Sequence, residues 1–286
     1  MNLIECTSLF AQFPGGFCVF KVVKIEKQHF TIEEPLFIIY TKLVVRMNPL
    51  SNRKNLLLYD KALLKEQVRW IVGADEVGRG PLAGPVMAAA VGIIPEFFSL
   101  IKEEDALLLF QDSKTLSEVQ RKNALEILNT WAKTPYLKFA LGEASVTEIE
   151  VGNILFATTL AFQRALEKLR TILQIDFPSK ESSREEVVIS VDGYPLKGLH
   201  YKHRGLIKGD RTSFCIAAAS IVAKVARDQH MCELALQYPV YHFEQNKGYG
   251  TEMHINALKK WGPCPVHRLS FLKKLLNKKE QQEFAL

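Results

Sequence analysis

The segment from Trp70 to Val86 constrains this chain more than any other. Trp70-Ile71-Val72 opens an apolar run of the kind that forms a buried strand. The run ends in two adjacent carboxylates, Asp75 and Glu76. A Gly78-Arg79-Gly80-Pro81 turn follows, and a second apolar run begins at Val86. Side chains at i and i+1 of a regular strand point to opposite faces. The two carboxylates can therefore share one site only if the strand breaks there, and the glycines allow such a break. Carboxylate oxygens suit a hard divalent cation such as magnesium, and arginine pairs well with phosphate. Asp-Glu on its own would more often be a polar strand end with a surface ion pair.

A second stretch repeats the design. Val187 to Asp192 is an apolar strand ending in a carboxylate, with Gly193 behind it. One such Asp is usually a turn residue. Two strands that end alike favour a shared site, because ligands of α/β sheets gather at the carboxyl ends of strands. Further strands are expected over 85–94 and 136–144. Helices are expected over 56–69, from Glu118 to about Trp131 with Ser117 as its cap, over 153–173 with a broad apolar face, and over 213–237. In the last of these, Ser220, Lys224 and Asp228 fall on one face, where a Lys224–Asp228 surface pair is the ordinary reading. A loop and a short helix are expected over 96–110, and a loop over 176–186. A helix from about Glu252 to Trp261 is stopped by Gly262-Pro263. The tail from Lys273 reads as an amphipathic helix. Residues 197–210 carry six basic or histidine side chains, Lys197, His200, Lys202, His203, Arg204 and Lys208. Such a run is usually solvated, but beside an acidic site it could track a phosphate backbone.

A chain of 286 residues suggests one sizeable domain, or one with an appendage. The net charge of +6 leans toward an anionic partner without naming one. Five scattered cysteines, at 6, 18, 215, 232 and 264, have no metal-ligand spacing and read as reduced thiols of a cytoplasmic protein. No apolar run approaches the roughly 20 residues of a membrane span, and the first residues do not form a signal peptide. Residues 1–46 are β-like, with strand candidates at 17–25 and 36–40. They could be a nucleic-acid-binding appendage, an edge addition, or an upstream extension with translation starting at Met47; the last is slightly favoured. The expected division is an extension over 1–55 and a catalytic domain over 56–286.

The string Asp75-Glu76-Val77-Gly78-Arg79-Gly80-Pro81-Leu82-Ala83-Gly84-Pro85-Val86 resembles the first signature of the ribonuclease HII family. Asp112-Ser113-Lys114-Thr115-Leu116-Ser117, Asp192-Gly193, Ala217 to Asp228 and Lys247-Gly248-Tyr249-Gly250 are similar to its later motifs, in the same order. The resemblance covers residues 56–271. It implies an α/β, ribonuclease H-like fold, with a mixed central sheet flanked by helices and further helices at the C-terminal end. It implies that Asp75, Glu76, Asp192 and Asp228 are catalytic and hold two Mg²⁺ or Mn²⁺ ions. It also implies that Gly78, Arg79, Gly80, Ser113, Lys114, Lys224, Lys247 and Tyr249 contact substrate. The implied reaction cuts RNA–DNA hybrids and nicks duplex DNA 5′ of an embedded ribonucleotide, leaving 3′-hydroxyl and 5′-phosphate ends. That chemistry serves ribonucleotide excision repair and DNA replication. A monomer is expected. The sequence departs from the family at Glu150, Asn246 and Leu269, where Asp, His and Arg are usual. Two rivals stand beside this reading: the related ribonuclease HIII, and a nucleic-acid-binding module without activity.

Overall fold

The computed structural model describes the backbone of residues 6–13 and 16–23, and residues 56–101, 116–183 and 185–273 in full. The chain divides into two units, Met1–Asn48 and Pro49–Leu286. In the first, β1 (Cys6–Phe13) pairs antiparallel with β2 (Gly16–Val23) in a register running from Cys6 opposite Val23 to Phe13 opposite Gly16. The strand expected over 17–25 is there, with a partner that the sequence had not singled out. The candidate at 36–40 lies outside the described residues.

The second unit is built on a five-stranded sheet in the order β5-β4-β3-β6-β7, comprising β3 (Trp70–Val77), β4 (Val86–Ile93), β5 (Leu137–Ala144), β6 (Val187–Asp192) and β7 (Arg204–Leu206). β4 runs antiparallel to both β3 and β5, while β6 is parallel to β3 and β7 to β6. β4 (VMAAAVGI) is buried along its whole length, because helices cover both faces of the sheet. On one face Ile71, Ala89, Val91 and Val188 meet Phe214, Ala218 and Val222 of the helix Phe214–Gln237. On the other, Val72, Ala88, Ala90 and Val191 meet Ala161, Phe162 and Leu166 of the helix Val146–Leu173. Gly73 is what lets the first helix come so close: a Cβ there would strike the backbone of Cys215 and Ile216.

In chain order the helices are α1 (Leu56–Ala62), α2 (Phe97–Leu100), α3 (Glu118–Ala132), α4 (Val146–Leu173), α5 (Phe214–Gln237), α6 (Phe243–Asn246), α7 (Glu252–Trp261) and α8 (Leu269–Leu272). Ser117 forms a capping box with Gln120 at the start of α3, and Ser145 one with Glu148 at the start of α4. Two expectations need correction. The helix expected over 56–69 stops at Ala62, and turns lead from there to β3. The helix expected from 153 begins at Val146 and breaks at Asn153, where φ is 70°. With ψ at 171° this lies outside the left-handed helical well that asparagine favours, and Asn153 is held there as the cap of the second segment: its Oδ1 accepts from Leu155 N at 2.9 Å and Phe156 N at 3.2 Å.

The C-terminal helices α6, α7 and α8 pack a third apolar cluster around Met231, Tyr241, Phe243 and Leu258. Leu82 and Ala83, from the turn after β3, belong to that cluster. The C-terminal end is therefore bolted to the glycine turn. Among the described residues no helix is long and apolar enough to cross a membrane. The tail beyond Lys273 lies outside them.

Candidate active site

β3 and β6 run side by side in parallel, and their last paired positions are Ala74 and Val191. One residue further on each strand come Asp75 and Asp192. Both are on the face that α5 covers, by the alternation of a strand. Asp75 is buried, and Ser220 of α5 hydrogen-bonds its carboxylate. Asp192 Oδ1 accepts from Gly209 N at 2.7 Å. Asp228 lies two turns along α5 from Ser220, nearly buried. It accepts from Lys224 Nζ at 2.7 Å and has an Arg121 nitrogen at 3.9 Å. The Lys224–Asp228 pair thus exists, but it is half-sheltered rather than solvated.

The expected strand break is absent. Asp75 and Glu76 both stay in the ladder, opposite Ala89 and Ala88, and β3 runs on to Val77. Glu76 therefore leaves from the other face, where Arg79 Nη1 meets its Oε1 at 3.0 Å. Asp75 bends along the strand instead, its Oδ1 accepting from Glu76 N at 2.7 Å. Each carboxylate is thus tied to a donor of its own. Among the described residues no three His, Cys, Asp or Glu side chains form a group able to hold a metal ion.

Charge nonetheless accumulates here. Burial, then repulsion from Glu76 and Asp192, raises the Asp75 carboxyl well above its usual range, against the pull of Ser220. Burial also raises Glu76, with Asp192 adding to it and Arg79 opposing.

The turn after β3 is held from beneath by two arginines. Arg268 has no exposed surface and donates to the carbonyls of Gly78, Arg79, Pro81, Gly84 and Pro85. Arg227 is equally buried and donates to Ala83 O, Pro85 O and Lys247 O. Burial, and the charge of Arg227, press Arg268 down to about 9, while its five carbonyl partners favour the cation. The carbonyls of Gly78 and Arg79 are consequently committed inward. The outward resources of the turn are the open space over Gly80 and the half-exposed Arg79 side chain.

Tyr249 stands across from this turn. The residue is 43% exposed, and its Cε1 is 4.0 Å from where a Cβ on Gly80 would lie. Asn246 shapes the loop that carries it: Nδ2 donates to Tyr241 O at 2.6 Å and Oδ1 accepts from Gly248 N at 2.8 Å. Lys247 has positive φ, and its Nζ donates to Glu244 O and reaches Cys232 Sγ at 3.1 Å. Glu150 receives the N–H and hydroxyl of Ser270, tying α8 to α4. Ser113 and Lys114 lie outside the described residues.

Sequence reasoning missed the buried roles of Arg227 and Arg268, and also Arg121; it placed Ser220 on the Asp228 face of its helix but not beside Asp75. Helical spacing could have exposed Arg227. It lies four residues after Ala223 and four before Met231, both buried.

A mixed sheet in this order, covered on both faces and closed by C-terminal helices, is the ribonuclease H-like fold. The ribonuclease HII of Archaeoglobus fulgidus, solved in its complex with PCNA, superposes with a TM-score of 0.53 at 19% identity over 73% of this chain and 97% of its own. The particular family follows from sequence. The family model of ribonuclease HII matches residues 72–274. The ribonuclease HII of Caldicellulosiruptor bescii is 39% identical across 80% of this chain and 98% of its own length. That of Endomicrobium trichonymphae is 42% identical across 76% and 92%. The chain belongs to the ribonuclease HII family. It is an enzyme, a metal-dependent nuclease of the ribonuclease H type whose substrate class is the RNA–DNA hybrid.

Proposed function

We infer that the enzyme cuts the phosphodiester 5′ of a ribonucleotide, both in RNA–DNA hybrids and at single ribonucleotides embedded in duplex DNA, leaving 3′-hydroxyl and 5′-phosphate ends. The observation that carries this reading is the pairing of Asp75 and Asp192 at the ends of adjacent parallel strands, with Glu76 close enough to repel Asp75.

Asp75, Glu76 and Asp192, which feel one another's charge despite the unbroken course of β3, would together with Asp228 hold two Mg²⁺ or Mn²⁺ ions. A donor set made only of carboxylate oxygens fits hard cations, and a cation would relieve the repulsion that raises Asp75. Bound there, divalent cations supply the Lewis acidity that activates a water and stabilises a departing 3′-oxygen. The rest falls to the chain. Arg79, paired with Glu76, and Lys224, paired with Asp228, stand beside these carboxylates and would meet the phosphates of a bound substrate. Lys247 extends the same track, and Ser113 and Lys114 are assigned to it by family resemblance.

Selectivity needs a contact that senses the 2′-hydroxyl. The amides of the Gly78-Arg79-Gly80 turn can approach a ribose closely. Tyr249, facing Gly80, offers a ring on which the next sugar can pack. The test is cleavage of a DNA duplex containing one ribonucleotide, with Mg²⁺ or Mn²⁺, by wild type and Asp75→Asn. A single nick 5′ of the ribonucleotide, lost in the variant, is expected. Cutting of long hybrids alone would favour a ribonuclease HIII-type specificity instead.

A further inference from the structure

Behind Tyr249 two histidines meet in the core. His254, in the first turn of α7, has no exposed surface, and His267, just before α8, is 2% exposed. Their Nε2 atoms are 2.9 Å apart. The surrounding bonds assign the tautomers. Cys264 N donates to His267 Nδ1 at 2.9 Å, so that nitrogen is an acceptor and the proton sits on Nε2. Cys264 Sγ, at 3.1 Å from the same Nδ1, is a second donor available to it, and Cys264 O lies at 3.3 Å. His267 Nε2–H therefore donates to His254 Nε2. His254 keeps its proton on Nδ1 and donates to Tyr249 O at 2.9 Å.

The chain of bonds works only with both rings neutral. A second proton on His254 would set two N–H groups head to head across Nε2···Nε2, and one on His267 would set Nδ1–H against the Cys264 N–H. The setting maintains neutrality. Burial, followed by the neighbouring His254, pushes His267 down to about 4, and burial lowers His254. The groups facing the pair are Tyr241, Phe243 and Cys264. The Tyr241 ring centroid is 4.7 Å from that of His267, and its hydroxyl donates to Gly262 O. The Phe243 ring is edge-on to His254 at 5.4 Å. Burial keeps the Cys264 thiol protonated.

The two rings join the glycine turn to the loop that carries Tyr249. Val266, His267 and Arg268 pair with the glycine turn: Gly84 N donates to Val266 O and Arg268 N to Leu82 O, both at 2.8 Å, with Ala83 opposite His267. His254, at the other end, holds the carbonyl of Tyr249, which Thr251 N also reaches at 2.8 Å. We propose that the His267–His254 bond is a strut that sets the span between the Tyr249 ring and the Gly78-Arg79-Gly80 turn, making both histidines positioning residues for recognition of a ribonucleotide followed by a deoxyribonucleotide. This rests on the reading of Tyr249 and the turn given above.

The test compares full-length variants on two substrates, a DNA duplex with one ribonucleotide and a uniform RNA–DNA hybrid. His267→Leu removes the strut. It is expected to raise KM for the single-ribonucleotide duplex about tenfold relative to the hybrid, the worth of one well-made hydrogen bond, with kcat little changed. His267→Gln, whose amide nitrogen can replace Nε2–H, is expected to restore most of the preference. Nitrogen NMR of the wild type should show His267 protonated at Nε2 and His254 at Nδ1, unchanged from pH 5.5 to 8. The strut is overturned if either ring titrates in that range, or if His267→Leu leaves the substrate ratio intact while Tyr249→Ala abolishes it. A ratio untouched by Tyr249→Ala overturns the strut together with the underlying reading of Tyr249. Should His267→Leu fail to fold, the glutamine variant and the NMR spectrum decide.

Discussion

Arg227 Nε and Arg268 Nη2 donate to the same carbonyl, Pro85 O, each at 3.1 Å. Two guanidiniums that repel one another are thus held together by the backbone they both organise. The geometry suits arginine alone, since five donors in a planar fork are needed to serve the Gly78–Pro85 turn. Lysine keeps the charge but has three donors on one atom. Arg268→Lys is therefore expected to cost about 3 kcal/mol, the penalty for buried carbonyls left without partners. Urea unfolding measures it, and a loss below about 0.5 kcal/mol would refute the role.

The two glycines of the turn should respond differently. Gly78 has φ +91°, and a Cβ there would strike the buried Arg227 side chain. Gly80 has no positive φ, and a Cβ would meet only Tyr249 Cε1, at 4.0 Å. Gly78→Ala should destabilise the fold by about 2 kcal/mol or more. Gly80→Ala should leave stability within about 0.5 kcal/mol yet weaken cleavage beside a ribonucleotide, because the methyl occupies space needed by substrate. Thermal melts beside cleavage assays separate the cases. Equal stability losses for both would mean that Gly80, too, serves the fold.

The sheet was readable wherever an apolar run ended in a charge. β3, β6 and the α5 helix announced themselves in this way, β4 by its apolar run alone, and α3 by its Ser117 cap. Asp75 and Asp192 could be brought to one place from the likeness of their strands alone. The unbroken course of β3 was not readable. It depends on the β4 ladder continuing past Asp75, a long-range pairing that glycines nearby only permit to fail. The kink at Asn153 was hidden because its cap acts inside a longer apolar pattern. Arg268 was hidden for a different reason. An arginine in a loop reads as surface, and only the folded turn supplies the carbonyls that make its burial tolerable. Glu150, where the family usually has Asp, reaches Ser270 and ties two helices.

Asp60 provides a test at a distance from the chemistry. It is fully buried on α1, and its carboxylate accepts from Ser213 Oγ at 2.7 Å and Cys215 N at 3.1 Å, at the start of α5. Burial raises its pKa to about 6, despite those bonds. A carboxyl raised in the folded state is favoured when protonated. Its contribution is fully present below about pH 4 and is lost as pH rises through about 6. The stability of wild type minus that of Asp60→Asn should accordingly fall by about 2 kcal/mol between pH 4 and pH 7. Urea titrations at both pH values measure the difference, and a flat difference would show that Asp60 titrates normally.

Removing metal should expose what the acidic cluster costs. Without cations, Asp75 is a buried carboxyl repelled by Glu76 and Asp192. Asp75→Asn relieves that repulsion while abolishing a ligand. In EDTA the variant should therefore melt at or above the wild-type temperature. Its advantage should grow as pH rises, because a raised acid loses its stabilising contribution on ionising. Divalent cation should reverse the order. At 100 times its dissociation constant it adds about 2.7 kcal/mol to whichever fold binds it, equivalent to about 5–10 °C for a domain of this size. Wild type should rise by that amount in Mg²⁺ or Mn²⁺, and Asp75→Asn should rise much less. Scanning calorimetry with and without EDTA reads both halves. A wild type unmoved by cation would take Asp75 out of the metal site, while an asparagine variant less stable in EDTA would show that the carboxylate is held by its Ser220 and Glu76 donors more firmly than its neighbours repel it.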